Sequence, residues 1–232
     1  MKSVSDVLKR DNNNFDLLRI FCAIMVIFAH SYYLSNANGA PEPLQSLLPF
    51  TYTGSVAVKI FFFISGLLVT NSLISNKSTI HFLVSRFFRI YPAFIFVILF
   101  TAIVVGPIVT SLDIASYFSN PLTVDYIKNS SVFDMAFMLP GVFDANIYKG
   151  SVNGSLWTIP YEVASYAVLL GCFLLTENKN KYISSLICLI VIISPITGWN
   201  RFLFINSDNA DVYLMAPCFA LGALFAIHKE KN

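Results

Sequence analysis

The sequence predicts an all-α fold, a polytopic bundle of about six transmembrane helices with both ends in the cytoplasm. Three observations carry that reading. The 232 residues are 56% hydrophobic and only 12% charged, about half the charged share of a soluble globular chain. The apolar residues fall in long blocks, neither alternating nor amphipathic, which is what a bilayer demands of helices that cross it. Lysine and arginine are unevenly placed. With the N-terminus inside and six spans, 11 of them fall on the cytoplasmic side and 4 opposite, as the positive-inside rule requires.

Residues 1–14, MKSVSDVLKRDNNN, form an expected cytoplasmic tail. No small-residue cleavage site follows the first apolar block, so that block is expected to stay as an anchor rather than leave as a signal peptide. A single transmembrane domain is expected over 15–228, followed by a tail at 229–232. Span one covers about 15–35 and ends on the interfacial pair Tyr32 and Tyr33. Span two covers about 55–74. It holds Lys59, which can snorkel to the near surface or line a cavity. Its small residues Ser65 and Gly66 let a neighbouring helix come close. A short polar turn leads to span three at about 90–111, with Tyr91-Pro92 in its first turn, where a missing N–H costs nothing. Positions 112–156 make a long extracytoplasmic section. Its apolar piece VFDMAFMLPGVF, with Asp134 inside, is too short to span and is expected to be interfacial or re-entrant. Spans four, five and six follow at about 158–175, 182–198 and 211–228. Pro217 falls inside the last, where a kink is expected.

A net charge of +2, with no basic patch interleaved with aromatics, argues against nucleic acid as a partner. The four cysteines sit inside apolar blocks as small filler and form neither a disulfide framework nor a metal cluster, so no metal is expected. Candidate chemistry therefore rests on ionisable residues in or beside the membrane, each costly there. Arg19 and His30 are eleven residues apart in span one, which on a helix is about 1100° and some 16 Å along the axis. They share a face, with Asp16 and Ala23 nearby. Arg19 can equally be an interface anchor paired with Asp16, and His30 a satisfied interfacial histidine. Arg86 and Arg89, three apart, share a face. They fit a clamp for phosphate or pyrophosphate, or a pair of positive-inside anchors. Glu162, at the start of span four, can orient a histidine, accept a proton, bind a sugar hydroxyl, or simply favour the helix dipole. Asn153-Gly154-Ser155 matches a glycosylation sequon, a three-residue pattern with little specificity.

Taken in order, FDLLRIFCAIMVIFAH, GSVAVKIFFFISGLLV, RFFRIYPAF and NGSLWTIPYEVASY resemble the integral-membrane acyltransferases of bacteria. These are the acyltransferase-3 or O-acetyltransferase family, which includes exopolysaccharide and O-antigen acetylases. Arg19 and His30 match the family's arginine and histidine separated by ten residues. Arg86 and Arg89 match its paired arginines, and Ser155, Leu156, Trp157 and Glu162 match its Ser-Leu-Trp run ahead of a glutamate.

The resemblance implies an O-acyltransferase of the bacterial cytoplasmic (inner) membrane, moving an acyl group, typically acetyl, from acyl-CoA to a hydroxyl of an envelope polysaccharide or glycolipid. It implies His30 as the catalytic histidine, either deprotonating the acceptor or carrying the acyl group. Arg86 and Arg89 would hold the donor's phosphates, and Arg19 would line the donor channel. Glu162 would act from the acceptor side, and Asp16, Ser155 and Trp157 would support the site. Family members are generally longer, so a shortened member, a fragment or a non-catalytic remnant is a reading the length allows. Transport or flipping of an anionic or lipid-linked solute is the alternative class. Intramembrane charges would serve it equally well, but no inverted repeat is present.

Overall fold

The computed structural model describes residues 4–8, 13–35, 41–76, 78–133, 135–176, 180–197 and 211–229. Among these residues the chain is helical and forms no strand. After a short turn of helix at Val4–Val7 (α1), Phe15–Ser35 forms α2, Pro43–Leu47 α3 and Thr53–Asn76 α4. Thr79–Phe100 (α5) runs through a π turn at Thr101–Val105 into Gly106–Val109 (α6). Ile114–Ser119 (α7) and Pro121–Asn129 (α8) are short. A 3₁₀ turn at Gly154–Thr158 opens Ile159–Leu175 (α9), and Lys181–Thr197 (α10) and Val212–Ile227 (α11) follow.

All six expected spans are helices. By length and composition four are apolar enough to cross a membrane: Phe15–Ser35, Thr53–Asn76, Thr79–Val109 and Gly154–Leu175. At 17 and 16 residues, α10 and α11 are apolar but shorter. The outward side of α2 is a run of bare Leu17, Ile20, Phe21, Ile24 and Ile27. A water-facing helix could not sustain such a surface, whereas hydrocarbon covers it at no cost.

Contacts divide the chain into two compact units, one of Met1–Tyr33, Gly39–Thr79 and Ala164–Asn232, the other of Leu34–Asn38 and Ile80–Val163. In the first, α4 crosses α11 with the backbones almost touching. A Cβ on Gly66 would lie 2.0 Å from the Phe219 carbonyl oxygen, and one on Gly222 would lie 2.1 Å from that of Phe63. Only hydrogen side chains permit this approach, and the close fit buries Phe62, Val69 and Leu73 against Met215, Phe219 and Ala223. The expectation for Gly66 is thus met. Ala29 of α2 rests against Gly54, where a Cβ would come within 3.1 Å of the Ala29 methyl. At the far end Ser185 and the His228 ring are 2.7 Å apart, tying α10 to α11. Lys229 donates to Asn71 Oδ1 at 2.8 Å, tying α11 to α4.

The loop ahead of α4 is organised by a buried carboxylate. Glu42 caps α3, accepting from Gln45 N at 3.1 Å, and also accepts from the backbone and hydroxyl of Thr53. Burial pushes its carboxyl up, but these hydrogen bonds outweigh it and hold the group below its usual range.

In the second unit, α5 differs from expectation at its start. The helix begins at Thr79, not near residue 90, so Arg86 and Arg89 stand on helix rather than in a polar turn, and Pro92 lies inside. Ile80, Phe82, Leu83, Phe87 and Phe88 carry the apolar pattern back through the expected turn, and Pro92 forfeits only one backbone bond. Further along, Pro107 explains the π turn. Gly106 N bonds the Thr101 carbonyl, five residues back. The next N–H, which would serve Ala102 O, is missing because residue 107 is proline. The Tyr117 hydroxyl fills the gap, donating to Ala102 O at 2.9 Å. Tyr117 and Tyr126 are fully buried with Phe94, Ile98, Leu139 and Val142. Burial raises both phenols above the usual range. The piece VFDMAFMLPGVF is irregular chain whose Val132, Leu139 and Val142 enter this core. Asp134 lies outside the described residues.

Candidate active site

The face of α2 toward the protein is set by Cys22 and Ala29, both fully buried. Arg19 and His30 flank that stripe. Arg19 Nη1 meets Asp16 Oδ1 at 3.2 Å, an i,i+3 pair in which the carboxylate is largely exposed. The anchor reading of Arg19 thus has its partner, a contact of small energetic weight at such exposure. His30 is half-buried, with Nδ1 2.8 Å from the Val26 carbonyl oxygen. A carbonyl only accepts, so Nδ1 carries the proton, and in the neutral ring Nε2 holds the free lone pair. The helix itself therefore fixes the tautomer, and the basic nitrogen is the one directed away from its own backbone.

At the same end of this unit lies a polar cluster. Lys59 Nζ donates to Asp211 Oδ1 at 3.0 Å and to Ser55 Oγ at 2.6 Å, and Ser55 in turn donates to Asp211. Both charged side chains are one-fifth exposed. Burial pushes the Tyr52 phenol up to about 12, aided by the Asp211 carboxylate beside it and by Tyr33. Tyr33, one turn past Ala29, packs edge-on against Tyr52 at 5.6 Å and donates to Gln45 at 3.1 Å. Lys59 is thus held by Asp211 and Ser55 within the protein, largely out of solvent. Its partner, Asp211, and Ser55 were missed from sequence. The usable signal was that a lysine inside an apolar block needs a carboxylate, and Asp211 stands at the head of the last apolar block.

In the second unit the structure brings together two residues that the sequence reading held apart. Arg89 Nη2 lies 3.8 Å from Glu162 Oε1, with both side chains about one-third exposed. This is an ion pair beyond hydrogen-bond length. Arg86, one turn before Arg89, directs its Nε into the interior. Trp157 packs edge-on against Tyr161 at 6.0 Å, and Ser155 is exposed on the 3₁₀ turn. The sequon asparagine has a structural task. Asn153, in a left-handed conformation, donates to Thr101 Oγ1 at 2.8 Å and Tyr126 Oη at 2.7 Å. Asp16, Arg19 and His30 belong to the first unit, and Arg86, Arg89, Ser155, Trp157 and Glu162 to the second. Among the described residues no three His, Cys, Asp or Glu side chains gather closely enough to hold a metal ion.

An acyltransferase domain, that of the acyltransferase-3 family, matches residues 12–232. An O-acetyl transferase of Shigella phage Sf6 is 32% identical over 228 residues, 94% of this chain and 63% of that protein. Nodulation protein 10 of Rhizobium leguminosarum bv. viciae is 35% identical over 164 residues, 68% of this chain and 43% of its own length. The chain therefore spans less than two thirds of the relatives it matches. No solved structure matches it. The family match covers every candidate residue named above, and the chain belongs to the acyltransferase-3 family.

Proposed function

We propose that this chain provides the acyl-transfer machinery of a multi-pass enzyme of the bacterial inner membrane. The donor is an acyl-CoA, typically acetyl-CoA, reached from the cytoplasm, and the acceptor is a hydroxyl of an envelope polysaccharide or lipid-linked sugar. Both ends of the chain are cytoplasmic in this reading, as the distribution of basic residues favours. One observation carries it. In a chain of this family, the His30 ring is held by Val26 with Nε2 left as the base.

His30 Nε2 takes the proton of the acceptor hydroxyl as its oxygen attacks the thioester carbonyl. The C–S bond breaks, and the imidazolium returns the proton to the departing thiolate. Arg86 and Arg89 hold the donor's phosphates, as guanidinium forks do best. Glu162 keeps Arg89 in place between turnovers and acts toward the acceptor. Arg19, anchored by Asp16, lines the donor's path, and Ser155 and Trp157 shape the approach to Glu162.

His30→Ala is expected to abolish O-acetylation of envelope glycan, read by mass spectrometry of the polysaccharide, with protein level unchanged. Wild-type acetylation in that variant sinks the assignment. In the same cells, Arg86→Ala with Arg89→Ala is expected to raise the donor concentration needed for half-maximal transfer.

A further inference from the structure

The first unit holds a half-open cavity of about 470 Å³ between α4, α9, α10 and α11. It is independent of the residues assigned to acyl transfer. Each helix lends it one stripe: Val168, Leu169 and Cys172 from α9, for instance, and Ile187, Cys188 and Val191 from α10. The lining runs from Ser165 along α9 to Thr176, just past its end, and from Ala216 to Ile227 on α11. Eleven residues of helix give it a length of about 16 Å, enough for an extended alkyl chain of roughly a dozen carbons.

Near one end of the cavity α9 meets its neighbours through Tyr166. Tyr166 Oη lies 3.0 Å from Ser65 Oγ, and its ring rests 6.2 Å from that of Phe219. On α11 the lining includes Ala216, Ala220 and Ala223 beside Phe219, and the alanines are too small to fill the gap.

One end of the cavity is polar and basic. Asn180, Lys181 and Tyr182 line it, and Lys181 sits 5.9 Å over the Tyr182 ring. His228 and Lys229 directly follow the lining residue Ile227 and bond to α10 and α4. The first turn of α10 opens there, with Asn180 Oδ1 accepting from Tyr182 N and Ile183 N. A largely apolar slot ending at helix termini that carry positive charge complements an anionic amphiphile with its head at the membrane–water boundary.

We infer that this cavity is a site for an anionic membrane phospholipid, with one acyl tail between α9, α10 and α11 and its phosphate at Lys181. A bilayer lipid is favoured over a soluble acyl donor because the walls offer Val, Leu, Ile and Phe along most of their length. The wall hydroxyls, on Thr70, Ser165, Thr176 and Ser184, are a minority of the lining, which suits a hydrocarbon tail better than an amide-bearing carrier arm.

The test is native mass spectrometry of the purified full chain titrated with phosphatidylglycerol or phosphatidylcholine. One phosphatidylglycerol per chain is expected, bound about fivefold more tightly than phosphatidylcholine, as one basic residue at a membrane surface provides. Cys172→Phe, which fills the slot, is expected to weaken phosphatidylglycerol by about tenfold or more through lost methylene burial. Lys181→Glu, on the surface, is expected to keep binding but erase the preference between the two lipids. Equal affinities in the unaltered chain overturn the inference, as does unchanged binding in Cys172→Phe. One-for-one displacement of phosphatidylglycerol by palmitoyl-CoA reassigns the cavity to a donor and also overturns it. Should Cys172→Phe fail to fold, the Lys181→Glu arm decides.

Discussion

The crossing of α4 and α11 yields a prediction whose size follows from the coordinates. Gly66→Ala sets a methyl 2.0 Å from the Phe219 carbonyl oxygen and 2.8 Å from its carbon. A carbon–oxygen contact needs roughly 3.3 Å, so the helices must part by more than 1 Å. Both partners in the clash are backbone, so no rotamer change relieves it. A gap of that size forfeits about a quarter to a half of each neighbouring dispersion contact, including those of Phe62, Val69 and Met215, which are at most 5% exposed. The cost is about 3 kcal/mol, the upper part of the range for overpacking, or roughly 6–12 °C in Tm for a chain of this size.

Thermal unfolding in detergent, followed by thiol-reactive fluorescence at the buried Cys22 and the half-buried Cys172, Cys188 and Cys218, measures it. Gly171→Ala is the control. Nothing lies within 4 Å of a Cβ there, and alanine is the better helix former by about 1 kcal/mol, so its Tm should hold or rise. Because Gly222 sits at the same crossing, the double variant Gly66→Ala/Gly222→Ala should cost less than the two singles combined. A Gly66→Ala protein within about 1 °C of the unaltered chain, or strict additivity in the double, refutes the close-approach account.

Two further predictions concern the polar groups at the head of α4. Asp211→Asn leaves Lys59 without its counter-charge at 3.0 Å. About 2 kcal/mol of stability should be lost, less than for a fully buried pair because both side chains are one-fifth exposed. Lys59→Met in the Asp211→Asn background should recover part of that loss in the same melting assay, and no recovery would mean the ammonium is not the source. Glu42 gives a pH signature. Its folded-state pKa is depressed below the ordinary 4.5, so its contribution is present above that value and fades as pH falls through the depressed folded pKa. Acid melts should show Tm falling below about pH 4.5, and Glu42→Gln should be less stable at neutral pH while losing part of that acid dependence. Identical acid profiles would count against Glu42 as the loop's organiser.

Helix positions were legible in the sequence because hydrophobic blocks report burial in either protein or lipid. The small pair Ser65-Gly66 disclosed the α4 crossing for the same reason, since side-chain size is visible in the letters. Helix boundaries were less so. The basic character of Arg86 and Arg89 and the proline at 92 read as a turn, whereas backbone bonding continues wherever flanking residues keep a helical face. Neither the π turn nor the Asp211–Lys59 pairing was readable. One needs, besides Pro107, a tyrosine hydroxyl brought from 15 positions away to the freed carbonyl, the other a contact across 152 positions. Among the proposed site residues, the tautomer of His30 follows from an i−4 carbonyl and so from local sequence alone. That Arg89 finds Glu162 could only come from folding.

The π turn at Thr101–Val105 also changes how this helix is to be counted. A five-residue loop of hydrogen bonds holds one residue more than a regular turn, as if a single codon had been inserted into an α-helix. Heptad or 3.6-residue bookkeeping begun in α5 therefore falls out of phase by one position at Gly106. An alignment that demands unbroken periodicity through residues 79–109 will misassign every face beyond the turn. A relative lacking a proline at 107 is expected to shed both the extra residue and the tyrosine that answers for it.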